Sequence, residues 1–394
     1  MQAAAVRIGL DLLDKKWPRR LRSARMGLLV HPASVNRRLD HTAALLHKSS
    51  RFRLTALFGP QHGIRGETQD NMVEWEGFPD ENTGLPVFSL YGRNRKPDAS
   101  MLKELDGILI DLQDIGSRYY TFIWTVNLCM QACAEMNKAV VVLDRPNPIG
   151  GHLTEGPVLD TRYSSFVGQR PLPVRHGMTI GEMGTYLHGE YYPSLDFHVI
   201  SMHGWERRMW FDQSGCPWVM PSPNMPTLET ATVYPGMCLL EGTNISEGRG
   251  TTRPFEIFGA PFIEPEVLVN RLKERKLPGV IFRPVYFQPT FQKYAGRLCS
   301  GAQIHVTDRE RFRPFKTGVA VIKAVHDLYP DQFAWNLPPY EYEYEKMPID
   351  ILAGTDRLRR DIENKVPLDH MEAWWREECS AFGKQVGKHY LMYR

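Results

Sequence analysis

Short apolar runs alternate with helical patterns through the first half of the chain. MGLLVH at 26–31, LTALFGP at 54–60, GILIDLQD at 107–114, VVLDRPNP at 141–148 and DFHVIS at 196–201 read as strands. Between them, HTAALLHKS at 41–49, TFIWTVNLCMQACAEMNK at 121–138 and a segment at about 179–190 read as helices. The strand runs are continuously apolar rather than alternating, which predicts burial on both faces of a sheet. Strand and helix taking turns predicts a mostly parallel sheet covered by helices, a Rossmann-like α/β layer. From about residue 236 the pattern changes. Two strands, VIFRPVYF at 280–287 and GAQIHVTD at 301–308, stand among helices expected at 264–275, 315–328, 356–365 and 368–382. The expected organisation is a Rossmann-like domain over 1–235 and a smaller α+β domain over 236–394, with a cleft at their junction.

Polar clusters follow the strands. GPQHGIRGE (59–67), DLQDIGSRYYT (111–121) and LDRPNPIGG (143–151) each sit at a carboxyl end, where open α/β sheets bind ligands. The first offers Gln61, His62 and Arg65 among glycines that let the backbone turn sharply. His62 reads either as a site residue or as a hydrogen-bonded core histidine. The second offers Asp111, Asp114, Arg118 and Tyr119; an Asp–Arg structural pair and a ligand contact are equally compatible with it. The third offers Asp144, Arg145 and Asn147 on a loop stiffened by two prolines. PVRHGMTIGEM (173–183) places His176 before a helix capped by Thr179 and Glu182, which form a capping box. PSPNMPT (221–227) is an extended rigid segment presenting Asn224. EGTNISEGRGTTRPFE (241–256) is too poor in apolar residues to be core; its Glu241, Asn244, Glu247, Arg249 and Thr251 are expected at the domain junction, while Glu256 beside Phe255 and Ile257 reads as structural. YEYEYE at 340–345 reads as an ordered or semi-ordered loop.

The remaining composition narrows the class of partner. A net charge of +3 over 394 residues gives no reason to invoke nucleic acid or an anionic membrane. The six cysteines contain no C-x-x-C pair, against a zinc ribbon or redox motif. Neither G-x-G-x-x-G nor a Walker loop is present, and no G-x-S-x-G elbow. No run of about 18 apolar residues and no secretory leader pattern stand in the sequence, so a cytoplasmic location is expected. Asp, Glu, Asn, His, Arg and aromatics without a phosphate cradle are the mixture that carbohydrate hydroxyls and sugar faces require.

The succession FGPQHGIRGE, SLYGRNRKP, DLQDIGSRYYT, VLDRPNPIGG, SFVGQRPLPVRHGMTIGE, PSPNMPT and YPGMCLLEGTNISEGRGTTRPFEIFGAP resembles the NamZ-type exo-β-N-acetylmuramidases, formerly a family of unknown function, from about residue 26 to at least 290. The resemblance implies an exo-acting glycosidase of peptidoglycan turnover. Its substrate would be a small carbohydrate, MurNAc–GlcNAc or a glycan end, from which N-acetylmuramic acid (MurNAc) is released at the non-reducing end. It implies no nicotinamide or metal requirement. Many members carry a glutamate where this chain has Gln61, and many carry an export signal. The alternative is a non-catalytic muropeptide-binding protein that has lost its acid at Gln61. For catalysis the expected groups are Glu247 and Glu241, with Asp111, Asp144 and the position of Gln61. The lactyl carboxylate of MurNAc is expected on Arg65, Arg118 or Arg249, since a guanidinium grips carboxylate in a bidentate fork.

Overall fold

The computed structural model describes residues 5–70, 72–387 and 389–394; residues 1–4, where part of the leader expectation falls, lie outside them. The main sheet is built from β1 (Arg25–Val30), β2 (Arg53–Gly59), β3 (Phe78–Pro79), β4 (Pro86–Ser89), β5 (Gly107–Asp111) and β6 (Ala139–Leu143). After a small antiparallel hairpin of β7 (Glu155–Val158) and β8 (Pro173–Arg175), β9 (Phe197–Ile200) completes it. Its order is β3-β4-β2-β1-β5-β6-β9, parallel except for β3, which runs against β4.

The apolar runs become central strands because both faces of the sheet are covered. β5 and β6 are buried at every position. Alternate residues divide between two cores: Ile108, Ile110, Val140 and Val142 pack with helices Phe122–Glu135 and Ile180–Tyr191, while Leu109, Val141 and Leu143 face helix Gly9–Lys16. β1 has β2 on one side and β5 on the other. The chain runs outward in opposite directions from β1 and β5, so the crevice at their carboxyl ends, with the turn after β2 beside it, is a topological switch point.

A second, three-stranded antiparallel sheet has the order β10-β12-β11, with β10 (Ile257–Ala260), β11 (Val280–Phe287) and β12 (Cys299–Val306). Helices Pro265–Glu274 and Pro314–Leu328 pack near it, and helix Leu368–Gly387 returns to the β7–β8 hairpin. Helix Leu228–Met237 runs through residue 235 and packs on Pro314–Leu328, so the larger core continues across the two halves. Among the described residues no helix is long and apolar enough to cross a membrane.

Several expected site residues serve this architecture. Arg118 is fully buried; its Nη1 donates to the carbonyls of Pro157 and Leu172, each at 2.8 Å, and its Nη2 to that of Leu352 at 2.7 Å. It ties the hairpin to helix Pro348–Ala353 and does not reach the cleft. Asp144 accepts from Thr179 Oγ1 at 2.9 Å and Gly181 N at 2.7 Å, and from the Tyr393 hydroxyl, so it anchors the start of helix Ile180–Tyr191. The Thr179–Glu182 capping box is present there, with Glu182 also bound by Arg207.

Candidate active site

A recessed pocket lies at the switch point, between the two halves of the chain. It holds about 460 Å³ of free space, open solvent at its mouth included. The first half supplies Gln61 and His62 from the turn after β2, Tyr119 to Phe122 from the turn after β5, Val167, and Ser222, Asn224 and Met225 from the proline-rich segment. The second half covers it with Tyr234, Glu241, Arg249, Phe255, Tyr340 and Glu341.

The position of the proline-rich segment follows from one histidine. Buried His31, just after β1, accepts from the amide of Gln113 at 2.9 Å through Nε2 and so donates from Nδ1 to the carbonyl of Pro221 at 3.2 Å. Burial pushes its pKa down to about 3, keeping the ring neutral in that tautomer. Asn224 is then held through Gln69, donating to its carbonyl at 2.9 Å and accepting from its side chain at 3.2 Å. His62 is likewise lowered to about 4 by burial, and its Nδ1 meets the Thr68 carbonyl at 2.6 Å.

The charge of the pocket comes from the glycine-rich stretch. Gly248 and Gly250 both have positive φ, +81° and +78°. A Cβ on them would stand 2.5 Å from the Ile257 carbonyl oxygen and 2.6 Å from that of Phe291. Glycine alone allows this tight double bend, and the bend aims Arg249 into the pocket. Arg249 lies over the Phe255 ring and donates to Glu241 Oε1 from Nε at 3.2 Å and from Nη2 at 2.8 Å. Its Nη1 is buried and meets no acceptor among the described residues. Tyr340 donates its hydroxyl proton to the other oxygen of Glu241, Oε2, at 2.5 Å. Burial raises the Glu241 carboxyl, but Arg249 and the Tyr340 hydroxyl outweigh burial and hold it below the usual carboxylate range.

Glu341, also buried in the pocket wall, has neutral donors. Tyr91 gives a hydrogen bond to Oε2 at 2.9 Å, and the Gln61 amide approaches Oε1 at 3.4 Å. Burial lifts its pKa to about 7, offset in part by Tyr91 and reinforced by the charge of Glu241. Gln61 is fixed by the Thr121 hydroxyl, which donates to its Oε1 at 2.5 Å, and by its own bond to the Tyr91 oxygen at 3.0 Å.

Of the expected site residues, Gln61, His62, Tyr119, Asn224, Glu241 and Arg249 meet in this pocket. The others are engaged elsewhere. Asp111 is gripped by Arg145 through both oxygens, at 2.5 and 2.8 Å, and by the Thr42 hydroxyl. Glu247 lies behind Arg249, 2.9 Å from Lys293 Nζ and 3.6 Å from Arg249 Nε. Arg65 is on the surface, over the Phe78 ring and near Glu81. Asn147 donates to the Met178 carbonyl, His176 lies 3.2 Å from Asp114, and Asn244 bonds the backbone at Gln332 and Ala334. Thr251 bonds the Gly248 carbonyl and lines a separate groove with Gln69, Tyr286 and Phe291. Glu256 is bound by Thr230 and Arg253. Tyr340 and Glu341 escaped the sequence reading. Their one signal was the acid–aromatic repeat YEYEYE, which nothing local connects to the strand ends. Among the described residues no group of three or more His, Cys, Asp and Glu stands in metal-binding geometry.

Most glycosidases set two carboxyl groups in different protonation states around one sugar. The pocket holds two, Glu241 and Glu341, both brought by the second half of the chain to the carboxyl edge of a Rossmann-like sheet, and its class is that of a glycoside hydrolase. Residues 26–229 match the N-terminal part, and residues 232–393 the C-terminal part, of the family described as exo-beta-N-acetylmuramidase NamZ. The chain belongs to this family. It is 45% identical over 388 residues to the peptidoglycan beta-N-acetylmuramidase NamZ of Bacillus subtilis (strain 168), covering 98% of this chain and 91% of that one. Two crystal structures of DUF1343 family proteins from Bacteroides fragilis NCTC 9343 share the fold. One has a TM-score of 0.88 at 34% identity and the other 0.77 at 28%, each over 99% of both chains.

Proposed function

We propose that the pocket takes the terminal MurNAc residue of a peptidoglycan fragment and that the chain hydrolyses the β-bond joining it to the next sugar. The observation that carries this reading is the buried, unpaired Nη1 of Arg249, a residue that lines the pocket. MurNAc differs from N-acetylglucosamine by a lactyl ether ending in a carboxylate. A desolvated guanidinium nitrogen facing the sugar is the natural complement of that group. Glu241, kept ionised, stabilises positive charge developing at C1. Tyr119, Tyr120, Tyr234 and Phe255 stand in the pocket walls. The Bacillus subtilis relative, named for this activity, supports the same substrate class.

The test compares an aryl N-acetyl-β-muraminide with the matching aryl N-acetyl-β-glucosaminide. Cleavage of the first and not the second is expected. Equal cleavage of both would remove the role given to Arg249. Tight binding of MurNAc–GlcNAc with no turnover at high enzyme concentration would favour the non-catalytic binding protein that Gln61 brings to mind.

A further inference from the structure

Only two carboxylates line the pocket among the described residues, Glu241 and Glu341. Glu241 is held ionised by Arg249 and Tyr340 and has no proton to give. Gln61 carries an amide, which cannot act as a renewable acid. Glu247 is removed from the pocket by Lys293. Glu341 differs from all of these: it is 3% exposed, it faces the cavity, and its bonded partners are the neutral Tyr91 hydroxyl and Gln61 amide.

We propose that Glu341 is the general acid of glycosidic cleavage in this chain, a role that rests on the glycosidase reading of the pocket. Its carboxyl proton passes to the glycosidic oxygen as the bond from C1 to that oxygen breaks. The electron pair of the bond stays with the oxygen, so the leaving sugar departs as a neutral alcohol and Glu341 is left as carboxylate. The water that then adds at C1 returns one proton to Glu341. One water is consumed per bond and no redox partner is involved.

Two further features fit the role. Glu341 and Tyr342 are successive non-glycine residues with positive φ, +45° and +64°, a conformation unfavourable for side-chain-bearing residues that persists where surrounding structure imposes it. Here Arg95 lies 3.5 Å over the Tyr342 ring, and Tyr340 and Glu343 exchange backbone hydrogen bonds across the turn. The segment is thus held against local preference with Glu341 turned inward. The charged and titratable groups near the carboxyl are Tyr91, Tyr340, Glu241 and Arg249; burial dominates over them and brings Glu341 to about 7, suited to giving and regaining a proton near neutrality.

The test uses leaving groups of different acidity. With Glu341→Gln, turnover of MurNAc–GlcNAc, whose leaving hydroxyl needs a proton, should fall by roughly 10²–10⁴-fold. Turnover of 2,4-dinitrophenyl N-acetyl-β-muraminide, whose leaving phenolate needs none, should fall less than about tenfold. In the wild type the alkaline limb of kcat/KM for the disaccharide should lie near pH 7, and it should vanish in the variant. Equal losses on both substrates, or an unchanged alkaline limb, would overturn the proposal. If Glu341→Gln does not fold, Glu341→Asp decides by the same comparison: selective loss on the disaccharide supports the role and equal loss removes it. A wild type that cleaves neither substrate would instead overturn the glycosidase reading itself.

Discussion

Arg249 joins most of the chemistry at the residue scale. It neutralises Glu241, stacks on Phe255 and keeps one nitrogen for the pocket. Arg249→Lys keeps the charge and loses the fork. We expect KM for a muraminide to rise about 10–100-fold, the 1.5–3 kcal/mol of one hydrogen bond to a charged group, with a smaller change in kcat. Steady-state kinetics check this; an unchanged KM would place the lactyl group elsewhere. Arg249 and Glu241 were legible in the sequence because glycines flank an arginine in a stretch too polar for core. Asp111, Asp144, Asn147 and His176 were equally visible at strand ends, but Arg145, a helix start and backbone carbonyls absorb them. A strand-end carboxylate looks the same in sequence whether it meets substrate or an arginine one strand away. Glu341 was illegible for the opposite reason: its partners Gln61 and Tyr91 are 280 and 250 residues away.

Long buried strands and most long helices were read at the element scale within a few residues, because a continuous apolar run has few other uses, but helices Gly9–Lys16 and Leu228–Met237 were missed. The short strands β3, β4, β7, β8 and β10 were missed; two to four residues carry too little periodicity. The helix pair that carries the pocket's cover depends on two glycines. A Cβ on Gly318 would stand 2.1 Å from the Gly236 carbonyl oxygen, and one on Gly236 would stand 1.8 Å from that of Pro314. Helix Leu228–Met237 leads directly into the turn that holds Glu241. Gly318→Ala should therefore cost about 1–3 kcal/mol of stability through overpacking, read as a lower midpoint in denaturant. It should also weaken muraminide binding in protein that remains folded. Wild-type stability in this variant would mean that the helices separate at no cost.

At the scale of the whole molecule, three buried carboxyl groups among the described residues have pKa values raised to about 7: Asp144, Glu155 and Glu341. Burial is the largest cause for each. The folded chain holds these protons up to about pH 7, while the unfolded chain has released them by about pH 4.5. Stability should therefore fall as pH rises through that window and level off above it, each group contributing about 1.4 kcal/mol per pH unit. Glu241, whose pKa is lowered, acts in the other direction only at more acid pH, and buried His31 and His62, lowered to about 3 and 4, oppose the fall until about pH 6.5, the ordinary histidine value. The fall is therefore clearest between about pH 6.5 and 7.5; denaturant unfolding across that window checks the sign, Glu341→Gln should flatten the slope, and stability rising there would contradict it. The pocket itself belongs to this scale, since each half supplies one side of it and Arg118 and the shared core hold the halves together.

The most direct measurement is product analysis on peptidoglycan glycan fragments that begin with either MurNAc or N-acetylglucosamine at the non-reducing end. Free MurNAc released as the sole monosaccharide, from the first set only, is the predicted result. Release of internal fragments, or attack on the ends that begin with N-acetylglucosamine, would contradict a pocket built around one terminal MurNAc.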